Sequence, residues 1–257
     1  MMTASFYDDL ASYFHLLYGD WERAILNQGA AIASLLEEFG HYPGDPVLDA
    51  ACGIGTQTLG LAKRGFKVTA SDISPGQLER LRLELSNRSL QAQVHRDDLR
   101  TLERIAPASM AAIIACDNSI PHLLSDAEIL QAFRSCYRSL RPQGIALFSV
   151  RDYAASERNS PDVRPYAMRY VDGERFLAVQ VWEWDRDQYD LRLYLTREFS
   201  DGRCDTPVTL QPLLCRDDRA PIRTSSASGL CRRAAQRSIV ASARIDRPPR
   251  RMNRRIG

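Results

Sequence analysis

Two acidic residues and the Gly-x-Gly turn that follows the first of them are the residues of this chain best suited to bind a ligand. Asp49 follows two apolar residues and precedes a turn that contains Gly53 and Gly55, and Asp72 ends the next short apolar run. Glycine lets the backbone approach a ligand closely and adopt positive φ. Open α/β sheets bind ligands at the carboxyl ends of their strands, where an acid can accept both hydroxyls of a ribose. The pattern therefore predicts a nucleoside site.

The turn also indicates which nucleoside cofactor is bound. A dinucleotide fingerprint requires a third glycine, and Thr58 stands at that position. A phosphate at a helix N-terminus gains nothing from Asp49, whereas a cofactor with a cationic amino-acid end does. S-adenosylmethionine (SAM) has an amine, a ribose and no phosphate. Residues 49–55 resemble the first motif of class I SAM-dependent methyltransferases, Asp-x-x-x-Gly-x-Gly.

This resemblance, over about residues 5–200, implies a set of cofactor contacts. The implied cofactor-binding residues are Asp49, Ala51, Gly53, Gly55, Asp72, Ile73, Asp98, Leu99, Cys116 and Gln28. In the family, the acid at Asp98 holds the adenine amine, and the next residue lines the ring. Asp97 is the weaker candidate, and for either acid an ordinary solvated loop carboxylate is the alternative.

Two further stretches resemble the glycine N-methyltransferase group. Residues 118–123 match its Asn-Ser-x-x-His-Leu, and Arg151-Asp152-Tyr153 stands where that group has Arg-Asn-Tyr. There the arginine holds the substrate carboxylate, for which a guanidinium fork is suited. Because Asp152 stands in place of the asparagine, an internal ion pair between Asp152 and Arg151 is the alternative role. His122 is a candidate proton acceptor or, equally, a structural hydrogen-bonding residue.

The N-terminal segment carries candidates of its own. Tyr7 and Tyr13 lie on a segment that closes over the sulfonium in this group, although aromatic residues on a helix also serve packing alone. Arg23 joins Gln28 as a candidate for the cofactor's carboxylate.

The acceptor is expected to be a small molecule. Methylases of nucleic-acid bases place an aromatic residue after the fourth strand to stack a flipped base, and residues 117–122 contain none. We predict a SAM-dependent methyltransferase acting on a small-molecule amine, with glycine or sarcosine as candidates and with Tyr7, Asn118, His122 and Arg151 as catalytic residues. There are two rival predictions. One is a methyltransferase for another small-molecule acceptor, and the other is a non-catalytic SAM-binding remnant.

Composition excludes several other classes of protein. No run approaches the roughly 18 apolar residues of a membrane span, and residues 1–13 lack a signal-peptide pattern. The six cysteines form no Cys-x-x-Cys pair, which argues against a zinc site and favours reduced thiols in the cytoplasm. We expect no metal, no nucleic acid and no membrane partner.

Strand and helix patterns alternate over about 100 residues and predict a doubly wound, mainly parallel, Rossmann-like sheet. Residues 1–44 are predicted as an N-terminal helical lid with a short aromatic helix over residues 6–18, and residues 45–152 as the SAM-binding core. Residues 153–200 are predicted as an antiparallel hairpin insertion that forms a substrate wall, because Asp172-Gly173 joins two strand patterns.

Residues 201–257 have a different composition. They contain 13 arginines, 5 aspartates and no other charged residue, a net charge of +8 that leaves −6 on the first 200 residues. They also lack aromatic residues, so a base-stacking nucleic-acid arm is disfavoured. For residues 212–231, codons can be chosen that encode an amphipathic helix when they are read one base downstream. The tail is therefore predicted as disordered or frame-shifted, with the last strands of the sheet missing.

Overall fold

The computed structural model describes residues 2–153, 158–214 and 238–244. Within these residues, the helices are α1 (Met2–Leu10), α2 (Trp21–Glu38), α3 (Thr56–Lys63), α4 (Pro75–Asn87) and α5 (Asp126–Ser139), with 3₁₀ turns at Phe14–Leu17 and Ile120–His122. None of these helices combines the length and the apolar character that are needed to cross a bilayer.

Five parallel strands form the main sheet. They are β1 (Pro46–Ala50), β2 (Lys67–Asp72), β3 (Gln93–Arg96), β4 (Met110–Ala115) and β5 (Leu140–Arg151), in the order β5-β4-β1-β2-β3. The chain runs outward from β1 to β3 and returns to β4 beside β1. The carboxyl ends of β1 and β4 therefore open a crevice, as at the switch point of any doubly wound sheet. The predicted fold is confirmed.

Both faces of this sheet are buried. Alternate residues of a strand point to opposite faces, so Val47 packs in one cluster with Leu36 of α2, whereas Leu48 packs in another with Cys136 of α5. Helices α2 and α3 approach with their backbones in contact, since a Cβ on Gly29 would lie 2.6 Å from the Gly60 backbone. The helices thereby fix the position of the loop between β1 and α3.

A second, antiparallel sheet follows β5. It consists of β6 (Asp162–Val171), β7 (Glu174–Asp185), β8 (Gln188–Glu198), β9 (Cys204–Asp205) and β10 (Val208–Leu214), with the order β10-β8-β7-β6 and β9 paired to β8. Asp172 and Gly173 both have positive φ in the β6–β7 turn, as the hairpin prediction requires. Phe6 and Leu10 of α1 pack on Leu193 and Leu195, so this sheet supports the N-terminal helix.

The aromatic N-terminal segment is not one helix over residues 6–18. Helix α1 ends at Leu10, and a separate 3₁₀ turn covers Phe14–Leu17. The reason is packing: Phe6 and Leu10 contact the second sheet, whereas Phe14 packs both on that cluster and on the cluster that contains Trp21. The break after Leu10 allows the chain to turn so that Phe14 reaches both clusters.

Beyond residue 200 the structure differs from the prediction. Strand β10 continues the second sheet, with Gln211, Leu213 and Leu214 buried. Strand β11 (Ser238–Arg244) pairs antiparallel with β5, so the main sheet does receive a C-terminal strand. Each of these strands pairs with an edge strand that offers unpaired backbone groups, β8 in the second sheet and β5 in the main sheet. Residues 215–237 and 245–257, on which most of the frameshift hypothesis rests, lie outside the described residues. The predicted domain boundaries stay predictions.

Candidate active site

A cavity of about 330 Å³ lies at the carboxyl ends of β1 to β4, beneath α1. Residues that line it include eight of the predicted site residues: Tyr7, Ala51, Gly53, Asp72, Ile73, Asp98, Leu99 and His122. The other six, Gln28, Asp49, Gly55, Cys116, Asn118 and Arg151, are outside its lining. The structure thus brings most of the cofactor set together but separates it from part of the acceptor set.

The turn after β1 is shaped around Asp72. Ala51, Gly53 and Gly55 all have positive φ, and the Gly53 amide donates to Asp72 Oδ2 at 2.9 Å. The Ser74 amide donates to Asp72 Oδ1 at 2.9 Å. Each carboxylate oxygen keeps a second acceptor position, so Asp72 can accept two further hydroxyls. Burial raises the pKa of Asp72, and these backbone hydrogen bonds oppose the rise.

Gly55 has a structural role instead. It begins α3 with φ of 91°, and a Cβ there would lie 2.2 Å from the Leu81 side chain. The absence of a side chain is required by the packing of α4 against the turn. The second glycine of the motif therefore shapes the loop without reaching the cavity.

Asp49 is enclosed behind the same turn. Its Oδ2 accepts a hydrogen bond from Thr58 Oγ1 at 2.6 Å, and its Oδ1 is buried without a partner. Burial raises the pKa of Asp49 to about 7, and the charges of Asp117 and Asp72 add to the rise. A cation in the neighbouring cavity would stabilise its ionised form.

Asp117, two residues after the end of β4, is a third acid of the cavity wall. Its Oδ2 accepts from Gln57 Nε2 at 2.9 Å and from Tyr18 Oη at 3.0 Å. Gln57 also donates to Gln28 Oε1 at 2.6 Å. Gln57 lines the cavity, and Gln28 contacts Gln57 without lining the cavity itself. Cys116 precedes Asp117, and burial raises the pKa of its thiol.

On the opposite wall, Asp98 is engaged by a neighbouring arginine. Arg100 Nη2 lies 2.6 Å from Asp98 Oδ2, and Arg100 Nη1 lies 2.5 Å from Glu128 Oε1. Burial raises the pKa of Asp98, but the hydrogen bonds and the charge of Arg100 outweigh this effect and hold it below its usual range. Asp97 accepts from the amides of three nearby loop residues, which gives it the structural role of a loop cap.

Tyr7 and His122, which are far apart in the sequence, are in contact at the cavity. Tyr7 Oη lies 2.8 Å from His122 Nε2, and His122 Nδ1 is buried without a partner. Burial lowers the pKa of His122 to about 4, and burial, with the charges of Asp72 and Asp117, raises the pKa of Tyr7. Both groups are therefore neutral at physiological pH. The pair acts through a hydrogen bond, and His122 is a poor proton acceptor.

Asn118 and Arg151 are not part of the cavity lining, although Asp117 and Ser119 on either side of Asn118 are. Asn118 Nδ2 donates to Tyr153 Oη at 2.7 Å, and its Oδ1 accepts from the Arg151 amide at 3.0 Å. Both polar groups of Asn118 are thus used to join β4 to the end of β5. The Arg151 guanidinium lies 4.6 Å from the centre of the Trp182 ring. Among the described residues no carboxylate forms an ion pair with it, so the alternative of a pair with Asp152 is not what the structure contains.

This chain is similar to known proteins in sequence and in fold. A family model described as a methyltransferase domain matches residues 47–144. A solved structure of a SAM-dependent methyltransferase from Clostridium acetobutylicum ATCC 824 shares the fold, with a TM-score of 0.70 and 14% identity over 86% of this chain and 92% of that chain. The similarity to a methyltransferase domain thus covers the strands β1 to β4 and the loops that line the cavity.

The curated relatives that this chain resembles differ in their acceptors. The chain is 31% identical over 134 residues to a glycine/sarcosine N-methyltransferase of Parasynechococcus marenigrum (strain WH8102), which is 52% of this chain and 46% of the relative. It is 31% identical over 166 residues to a malonyl-[acyl-carrier protein] O-methyltransferase of Serratia marcescens, 65% of this chain and 60% of the relative. The chain spans about half the length of the curated relatives it matches.

The residues that line and surround the cavity fit SAM. Asp72 offers two acceptor positions to the ribose. Gly53 has positive φ and no side chain, so a ligand in the cavity can approach its backbone closely. The buried, unpartnered Asp49 Oδ1 supplies negative charge behind that turn. Together with Asp117, these acids favour a ligand that carries a sulfonium and an ammonium.

Several site residues were not among the predicted ones. Gln57, Gln77 and Asp117 line the cavity, and Asp8 contacts the loop after β2. Asp117 follows the apolar run 110–116, and an acid at the end of a strand pattern is the signal that identified Asp49 and Asp72, so the same rule would have found it. Gln57 and Gln77 lie in the first turns of α3 and α4, and nothing in their spacing distinguishes them from surface residues.

Proposed function

We propose that this chain transfers the methyl group of SAM to the nitrogen of a small amine that carries a carboxylate, of which glycine and sarcosine are the simplest examples. The observation that carries the proposal is the Arg151 guanidinium, which ends β5 without a carboxylate partner among the described residues. An unpaired guanidinium beside aromatic rings is suited to bind a carboxylate through a bidentate contact.

The position of Arg151 relative to the cavity supports this proposal. The Arg151 amide donates to Asn118 Oδ1 at 3.0 Å. The end of β5 therefore lies beside the residue that follows the cavity acid Asp117. An amino acid would place its amine towards Asp117 and its carboxylate towards Arg151, so the two charges match the two ends of the acceptor.

The methyl transfer requires a free amine lone pair. When bound, SAM supplies a methyl group on a sulfonium; the amine nitrogen bonds to this carbon as the carbon–sulfur bond breaks, and one proton then leaves the nitrogen. His122, with a pKa of about 4, does not take that proton at neutral pH, and the Tyr7 phenol stays protonated. These two residues instead orient and shield the acceptor, and the proton passes to water.

A carboxylate oxygen as the methyl acceptor is the second candidate. It is favoured by the similarity to the malonyl-[acyl-carrier protein] O-methyltransferase, which extends over a larger share of this chain than the N-methyltransferase similarity does. Arg151 would then hold the acceptor group itself or a second carboxylate. The nature of the methylated product separates the two candidates.

The test is a turnover assay with the full chain, SAM and a panel of glycine, sarcosine, malonate and glycinamide. Mass spectrometry of the product distinguishes a methylamine from a methyl ester. Arg151→Gln is expected to raise the KM for glycine or sarcosine about tenfold or more, because a hydrogen-bonded charge partner is lost. Turnover of glycinamide, which has no carboxylate, should be unaffected by this substitution.

Arg164→Gln is the matched control. Arg164 lies 3.8 Å from the centre of the same Trp182 ring, but it is paired with Asp162. Its substitution should leave the KM unchanged. An equal KM change in both variants would show that stacking on Trp182, rather than carboxylate binding, is responsible. SAM binding without turnover on any acceptor would favour the non-catalytic alternative.

A further inference from the structure

Helix α1 is attached to the cofactor site through a side chain that the proposed chemistry does not use. Asp8 Oδ1 accepts hydrogen bonds from Ser74 Oγ at 2.6 Å and from the Gly76 amide at 2.8 Å. Both donors belong to the N-terminus of α4, where a carboxylate is also favoured by the helix dipole. Asp8 therefore joins two segments that are far apart in the sequence.

Ser74 connects this contact to the ribose-binding acid. Its hydroxyl donates to Asp8 and accepts from the Gln77 amide at 3.2 Å, while its own amide donates to Asp72 Oδ1 at 2.9 Å. The position of Asp8 is thus linked through one residue to the position of Asp72. A change in the loop that holds Asp72 would be transmitted directly to α1.

The neighbour of Asp8 is held by the same helix. Gln77 Nε2 donates to the Tyr7 carbonyl at 2.8 Å, and Tyr7 reaches over the cavity to His122. Thr3 and Tyr7 both line the cavity, so α1 forms its roof. The hydrogen bonds from α4 therefore fix the roof and set the direction of the Tyr7 side chain.

The contact depends on a glycine. A Cβ on Gly76 would lie 3.1 Å from Asp8 Oδ1 and 3.2 Å from Asp8 Cα. Gly76 has no positive φ, so its backbone would accept alanine without strain. Glycine within the first turn of a helix lowers helix stability relative to alanine. The close approach of α1 is a reason for its presence.

We propose that Asp8 is a positioning residue that latches α1 over the bound cofactor and places Tyr7 against His122. The inference rests on the proposed function in so far as it requires SAM to occupy the cavity. The latch couples two events: the Asp72 loop takes its ligand-binding arrangement, and the roof closes. Release of the product S-adenosylhomocysteine (SAH) then requires the Asp8 hydrogen bonds to break.

The experiment measures the dissociation rate of SAH from the full chain by stopped-flow fluorescence. Asp8→Ala should raise this rate about tenfold or more, since both hydrogen bonds to a charged group are lost. Asp8→Asn keeps a carbonyl oxygen that can accept from both donors, so its rate should stay close to wild type. Asp9→Ala is the control on the same helix, because no described contact involves the Asp9 side chain.

Two further variants separate positioning from a general loss of stability. Gly76→Ala leaves Asp8 in place and favours α4, yet it should raise the dissociation rate as Asp8→Ala does. Tyr7→Phe loses the bond to His122, and its effect should be less than additive with that of Asp8→Ala because both loosen the same helix.

The outcomes are distinguishable. A rate for Asp8→Ala equal to that of Asp9→Ala, or full additivity with Tyr7→Phe, overturns the latch while leaving SAM binding intact. If Asp8→Ala does not fold, Gly76→Ala decides alone: a wild-type rate in that variant overturns the proposal. No binding of SAH by the wild-type chain overturns the proposed function and the latch together.

Discussion

The two halves of the cavity are built in different ways. The cofactor half is formed by short segments that directly follow β1 and β2, and its central acid, Asp72, is fixed by backbone amides. The acceptor half is assembled from side chains of α1, the 3₁₀ turn at Ile120–His122 and the second sheet, with Arg151 of β5 next to this lining. A site held by backbone tolerates little sequence change, whereas a site made of side chains from separate elements can be altered one residue at a time.

The sharpest test of this division is at Asp72. Asp72→Ala removes both ribose acceptors and leaves the amides of Gly53 and Ser74 without their partner. We expect SAH affinity, measured by calorimetric titration, to fall about 100-fold or more, because two charge-assisted hydrogen bonds are lost. Arg151→Gln, in the acceptor half, should bind SAH like wild type. Similar losses in the two variants would contradict the division.

Asp49 gives the cofactor half a pH dependence. Its pKa of about 7 in the folded protein exceeds the ordinary value of 3.8, and a cationic ligand favours its ionised form. We expect the Kd for SAM to fall with rising pH, by up to about tenfold per unit below 7, and then to level off. Calorimetry in two buffers of different ionisation enthalpy should detect proton release on binding near pH 7.

The same pKa has the opposite consequence for the ligand-free protein. A raised carboxyl pKa contributes stability that is fully present below about pH 4 and is lost as the pH rises through about 7. Asp49→Asn should therefore unfold at a higher temperature than wild type above pH 7, while showing no pH-dependent SAM binding from this position. A wild-type pH dependence of binding in Asp49→Asn would assign the effect to another group.

His122 should produce the smallest effect. Because burial holds its pKa at about 4, the imidazole stays neutral from pH 6 to 9 and contributes no inflection to the rate profile. His122→Gln is expected to lower kcat by about tenfold at most, the contribution of one neutral hydrogen bond, without changing the shape of the profile. An imidazole proton resonance that titrates near pH 6.5 would contradict this expectation.

The parallel sheet and the cofactor loop could be predicted because their signals are local. The apolar strand, Asp49 and the positive-φ turn are consecutive in the chain, and the Ser74-Pro75 start of α4 also follows from adjacent residues. The acceptor half could not be predicted in the same way. Nothing near Asn118 indicates that its amide binds Tyr153. Even in the cofactor half, the Arg100 contact with Asp98 depends on how one loop folds back.

The strands after residue 200 show a different limit. The arginine-rich composition of residues 201–257 was interpreted as evidence against further sheet structure, yet Val208–Leu214 pairs with β8 over its whole length. Composition averages over a segment, whereas the seven residues of β10 include no charged residue. A short strand inside a charged segment is therefore hidden from any composition argument.

The contact between Gly29 and Gly60 has a consequence for how sequence variation in this protein is interpreted. At this point α2 and α3 touch through their backbones, and a methyl group on either glycine would overlap the other helix. Neither residue lines the cavity, yet both positions should be as intolerant of mutation as Asp72. In a saturation mutagenesis map they would look like active-site residues, and only the geometry shows that their intolerance is purely steric.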